Sequence, residues 1–294
     1  MELVEPWAAV RRQIGGALRD RVAGDDAASR AAQIWDAPGE RWFSQADPIW
    51  RVHSDASMFP GGIASLLLQS LHPLAMAGVA GHSGYKGDPW GRLQRTSTYL
   101  AVTTFGNVTD AEAIISRVRA IHERVRGVDP RGRPYAARDP HLLRWVHVAE
   151  VHSFLAGYQA YARTPLTPAE ADTYVAQTGV AASRLGATDL PQDVAALKST
   201  LSSYRPELES TRAAREATRF LLLNPPLPLL LRPGYGLLAS GGVALLPGWA
   251  RRELRVPVFG LGTVAAGKAG AAGTATVRWA MAGLEGRRVR SDPS

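Results

Sequence analysis

Seven histidines, His53, His72, His82, His122, His141, His147 and His152, are the side chains of this sequence with the widest chemical reach. Imidazole ligates metals, moves protons near neutral pH, or simply sits hydrogen-bonded in a core. His122 stands apart, because Val118 and Val125 flank it on the apolar face of a helical stripe. An unpartnered ring there costs a few kcal/mol of desolvation, so its nitrogens need an acceptor or a metal. His147 is similar but has Glu150 one turn on, and the spacing predicts that the two pair directly. The HVAE run at 147–150 is one reversed HxxE, compatible at most with a mononuclear site. Arg92, Thr96, Tyr99 and Thr103 recur at i, i+4, i+7 and i+11, which puts a guanidinium and three hydroxyls on one helix face. Such a face is either solvated or lines a pocket.

Other chemistries drop out. There is no cysteine, which excludes disulfides, thiolate-ligated zinc, iron–sulfur clusters, thiolate haem and a cysteine nucleophile. GxSxG, HExxH, P-loop and strand-borne GxGxxG patterns are absent, as are the paired ExxH repeats of a di-iron bundle. The net charge of +8 is an arginine excess, since only Lys86, Lys198 and Lys268 are lysines. It carries no nucleic-acid motif with it, and no nucleic-acid partner is expected.

The elements that must hold these groups are helices. Thr109 and Glu112 read as a capping box for a helix over 110–126, stopped by Gly127. Asp139-Pro140 opens a longer one over 140–162. Thr167 with Glu170 launches a helix to about Gly186, Pro191 starts another, and Ser210 caps one through Leu223. Segments 61–72 and 92–105 add two more. No segment alternates with period two between hairpin turns. The expectation is an all-α, multi-helix single domain with seven to ten helices.

Longer runs carry a resemblance. WRVHSDASMFPGGIASLLLQSLHP (50–73), AGVAGHS (77–83), DPWGRLQRT (88–96), FG (105–106), VRAIHERVRG (118–127) and RDPHLLRWVHVAEVHS (138–153) resemble the latex-clearing proteins, or rubber oxygenases, and the MpaB-type oxygenases that share their catalytic domain. NPPLPLLLRPGYGLL (224–238) and LLPGWARREL (245–254) continue it. The resemblance implies a globin-like helical core binding haem b. His122 resembles the proximal ligand and hence the metal-ligating residue; spacing on the helices makes it the first candidate for that cofactor-binding role and His147 the second. Arg92 and Thr96 resemble the Arg/Thr pair beside the haem. Arg95 stands where latex-clearing proteins carry a lysine able to ligate iron, and arginine cannot do so. Their glutamate base has no counterpart, because 71–87 contains no acid. His82, Ser83, His72 and Tyr85 are the substitutes offered as distal polar groups, and His82, Arg92, Arg95 and Thr96 form the catalytic set.

The organisation expected is an N-terminal helical extension over 1–40, a haem-binding oxygenase-like helical domain over 41–255, and an Ala/Gly-rich segment with a flexible tail over 256–294. The function implied is a haem b oxygenase of a bacterial branch, activating dioxygen to oxidise an apolar isoprenoid or aromatic molecule by C=C cleavage. The alternative is a non-catalytic haem or lipid binding protein. The start of the chain carries Glu2 and Glu5 and no long apolar run, so a cytoplasmic protein is expected. Prolines break the apolar stretch 220–247 short of the roughly 18 residues a spanning helix needs. Peripheral contact with a bilayer and homodimerisation stay open.

Overall fold

The computed structural model describes residues 34–82, 87–256 and 260–285, with Gly16 and Ala31 as isolated positions. Most of the expected 1–40 extension, with Ser83, Tyr85 and the tail beyond 285, thus lies outside the described residues. Among the described residues twelve α-helices are given in full: α1 (Pro48–Ser54), α2 (Met58–Gln69), α3 (Pro73–His82), α4 (Pro89–Phe105), α5 (Val108–His122), α6 (Pro140–Tyr161), α7 (Pro168–Leu185), α8 (Val194–Ser203), α9 (Arg212–Leu223), α10 (Arg232–Leu245), α11 (Gly248–Glu253) and α12 (Leu261–Glu285). The described residues are all-α apart from one antiparallel hairpin, β1 (Arg126–Val128) with β2 (Pro134–Ala136), in register Gly127 to Tyr135.

The caps explain the helix starts, and some move. Asp139 accepts from the His141 amide at 2.9 Å and opens α6 as the sequence predicts. Thr167 and Glu170 make the full capping box of α7, which ends on Gly186 at φ +113. The α5 cap is Asn107, not Thr109. Its side chain accepts from the Asp110 amide at 2.8 Å, and its Nδ2 donates to the Pro38 carbonyl. That second bond anchors the residue, so the helix begins two positions early. Gly127 is not its stop, since α5 ends at His122 and Gly127 pairs in β1. The hairpin escapes a period-two search because each strand has only three residues. Its turn is built by Asp129, whose Oδ1 accepts from the Arg131 and Arg133 amides. Asp193 and Thr211, rather than Pro191 and Ser210, cap α8 and α9. The helices beyond the seven segments read from the sequence are the short or apolar ones, α1, α3, α10, α11 and α12, and of these α1, α10 and α11 have no side-chain cap.

α6 is the central helix. Trp145, Val148 and Ala149 are fully buried, and it packs on α2, α7, α8, α10 and α12. The Ala/Gly-rich segment forms α12, which lies against α10 with its backbone nearly touching. A Cβ on Gly270 would stand 2.4 Å from the Gly241 Cα, so only glycine allows this crossing. Arg278 of α12 ties the stack to the α1–α2 turn through Asp55, with Nη2 2.9 Å from Oδ1, and also donates to the Tyr161 carbonyl.

Candidate functional site

α1, α3, α4, α5, β2, α6 and α7 enclose a cavity of about 500 Å³, within the range of small-molecule sites. Its wall includes Arg92, Arg95, Thr96, His82, His122 and His147, so the fold brings the six sequence-selected residues to one space. The polar stripe of α4 is accounted for as well, because Arg92, Thr96, Tyr99 and Thr103 all line it. Val79, Leu100, Val146 and Phe154 are among the apolar side chains of the wall.

His122 is the last residue of α5 and is half-buried. Its Nδ1 is sealed from solvent with no hydrogen-bond partner, and burial pushes its pKa down. His147 on α6 is buried with an equally orphaned Nε2, and burial lowers its pKa to about 4. Both rings are therefore neutral at pH 7 and keep a lone pair to offer. The predicted His147–Glu150 pair is not made. Both side chains join the cavity wall, and His147 Nε2 finds no partner. Burial lifts the Glu150 carboxyl to about 7. Tyr99 and Tyr174 share its wall, and their phenols are raised by burial and then by the charge of Glu150.

Other polar residues sort by their partners. His53 lines the cavity but is spoken for: Nδ1 lies 2.7 Å from the Thr104 hydroxyl and Nε2 3.3 Å from the Tyr174 hydroxyl. Burial holds it near pKa 4, a structural group. Arg95 is 64% exposed and pairs with Asp88 at 3.2 Å, which puts it at the rim. His82 is exposed, with its ring edge-on to Tyr135. His72 is not a distal group, for it lies outside the cavity against Trp145 and His141. The acid that does face the cavity is Glu150. Its signal in the sequence was a lone carboxylate on an otherwise apolar helix face.

The donor set suits a flat, iron-bearing dianion such as haem b. Two buried neutral imidazole nitrogens lack partners, two guanidinium groups stand at one side, and apolar walls enclose the rest.

Residues 50–282 match the family model described as ER-bound oxygenase mpaB/B'/Rubber oxygenase, catalytic domain. An uncharacterized protein of Mycobacterium bovis and another of Mycobacterium tuberculosis are each 35% identical over 106 residues, covering 34% of this chain and 37% of theirs. The chain thus spans little more than a third of the length of these curated relatives. No solved structure matches.

Proposed function

The chain belongs to the family of mpaB-type and rubber oxygenase catalytic domains, and from that premise we propose that it is a haem b-dependent oxygenase acting on an apolar small molecule. The observation that carries the reading is the orphaned Nδ1 of His122, in the wall of the cavity that also holds Arg92 and Thr96. Haem b bound there would supply the iron that activates dioxygen.

His122 would ligate the iron, since a buried neutral imidazole without a partner gains most by coordination. Arg92, with Arg95 at the rim, would neutralise the propionates through charge-assisted hydrogen bonds. Thr96 and Tyr99 would present hydroxyl donors to the oxygen-bearing side. Val79, Leu100, Val146 and Phe154 would hold an isoprenoid or aromatic chain with little water around its double bond, the bond cleaved in this reading. Glu150, half protonated near pH 7, can accept or return a proton at its carboxyl oxygen. It takes over what the acid-free segment 71–87 lacks.

No described single helix is long and apolar enough to cross a membrane. The same proposal makes the protein cytoplasmic, with peripheral membrane contact at the turn ahead of α10. There Leu229 is 76% and Leu230 94% exposed, and the exposed Arg219 and Arg232 complement anionic headgroups.

Haem-supplemented expression followed by an absorption spectrum tests the core of this reading. A Soret band with one haem per chain is expected, together with oxygen uptake on terpenoid substrates. A colourless protein refutes the haem assignment. Haem and ligand binding without oxygen uptake would make it a carrier instead.

A further inference from the structure

A second constellation lies outside the cavity, where three distant stretches of chain converge. His72 sits in the elbow between α2 and α3, two helices bent by 106°. His141 is in the first turn of α6, and Glu207 ends the 3-10 turn Arg205–Glu207. Glu207 Oε2 is 2.8 Å from His141 Nε2 and 3.4 Å from His72 Nε2. One ligand atom from each of the three residues lies within 4.8 Å of the other two.

The His141–Glu207 contact is an ordinary surface pair. His72 is different: it is 2% exposed, its Nδ1 has no hydrogen-bond partner, and its Nε2 meets only Glu207 at 3.4 Å, a contact too long to be a good hydrogen bond. A buried imidazole so poorly paired bears the cost of its lost hydration, so a ligand for Nε2 has something to recover. We propose that His72, His141 and Glu207 form a binding site for one divalent cation of the zinc class.

Two imidazoles and one carboxylate select such a cation over magnesium or calcium, which take oxygen ligands. Bonds of about 2.1 Å at tetrahedral angles put ligand atoms roughly 3.4 Å apart. His72 and Glu207 already stand at that spacing. His141 has to open by about 0.6 Å relative to Glu207, and both side chains are over 40% exposed and free to do so. Water supplies the fourth position. The outer groups are in place: the Tyr204 hydroxyl donates to the His141 carbonyl at 2.8 Å and lies 3.4 Å from its Nδ1. Arg144 in turn donates to Tyr204 at 3.0 Å. Glu209 is no competitor, because Arg131 and Arg133 hold its carboxylate. The bound ion would staple the elbow, the start of α6 and the 205–207 turn.

The full-length, haem-loaded protein, cleared of loosely bound divalent metal by a chelator that leaves the haem iron in place, is titrated with zinc by calorimetry and then melted with and without it. One zinc per chain at micromolar affinity or tighter is expected, with a raised Tm. His141→Ala and Glu207→Gln, both at the surface, should weaken binding at least 100-fold with the Soret band unchanged. Cobalt should give visible bands of four-coordinate N/O ligation, lost in the same variants. His72→Ala is the third arm, and the two surface variants decide the matter if it fails to fold. Absence of stoichiometric binding, or unmutated-protein affinity retained in His141→Ala or Glu207→Gln, overturns the site. Either result leaves the haem assignment standing.

Discussion

Replacing Glu150 with glutamine should stabilise the protein at alkaline pH and leave it unchanged in acid. The native carboxyl titrates near 7 against an ordinary value of 4.5, and the cause is burial in the cavity wall. The folded state therefore binds its proton more tightly than the unfolded state does. The sign follows from linkage: below pH 4.5 the group is protonated in both states and costs nothing extra. Between 4.5 and 7 ionisation is available only to the unfolded chain, so the penalty grows, and above 7 it levels off. At about 1.4 kcal/mol per pH unit the plateau is about 3 kcal/mol, and water in the cavity trims it toward about 2. Glu150→Gln removes this penalty. Urea titrations of both proteins from pH 4.5 to 8.5 measure it, with ΔΔG rising from near zero to about 2–3 kcal/mol at unchanged m-value. The comparison cancels the buried histidines, His53, His147 and His152, which all titrate near 4 and destabilise both proteins alike as pH falls below 6.5. A ΔΔG that does not vary with pH would refute the burial of an ionisable carboxyl. A pH–activity limb near 7 that disappears in the variant would assign the proton to Glu150.

The two orphaned imidazoles separate by spectroscopy: His122→Ala should lose haem, whereas His147→Ala should retain it and melt earlier, and equal retention in both makes the ligand assignment wrong. Gly270→Ala should cost about 2–3 kcal/mol, because its methyl meets the Gly241 backbone. Gly267→Ala, with open space around it, should be neutral or gain up to about 1 kcal/mol of helix propensity; comparable losses in both melts would contradict the tight α10–α12 crossing. Leu229→Ser with Leu230→Ser should abolish cosedimentation with anionic vesicles while leaving the melt unchanged, and undiminished cosedimentation would remove the proposed lipid contact.

Local chemistry was written plainly into the sequence. An Asp-Pro or Thr-x-x-Glu cap acts over three residues, so α6 and α7 start where their residues say. The stripe from Arg92 to Thr103 is a matter of one helix period, and it lines the cavity as read; His122 lines it too, although α5 ends there and leaves Val125 outside the helix. What failed locally failed for a tertiary reason. Asn107 outranks Thr109 as a cap because it also holds Pro38, far back in the chain.

Two further matters were decided by the fold alone. His147 and Glu150 are neighbours on a helix, yet both became part of a wall, and that burial sets their pKa values in opposite directions. His72, His141 and Glu207 share no spacing that a sequence could display, since they meet only where an elbow, a helix start and a short turn converge. Helical period and capping are short-range properties of the covalent chain. Burial and convergence depend on which surfaces meet, and the packing of α6 against its neighbours fixes that.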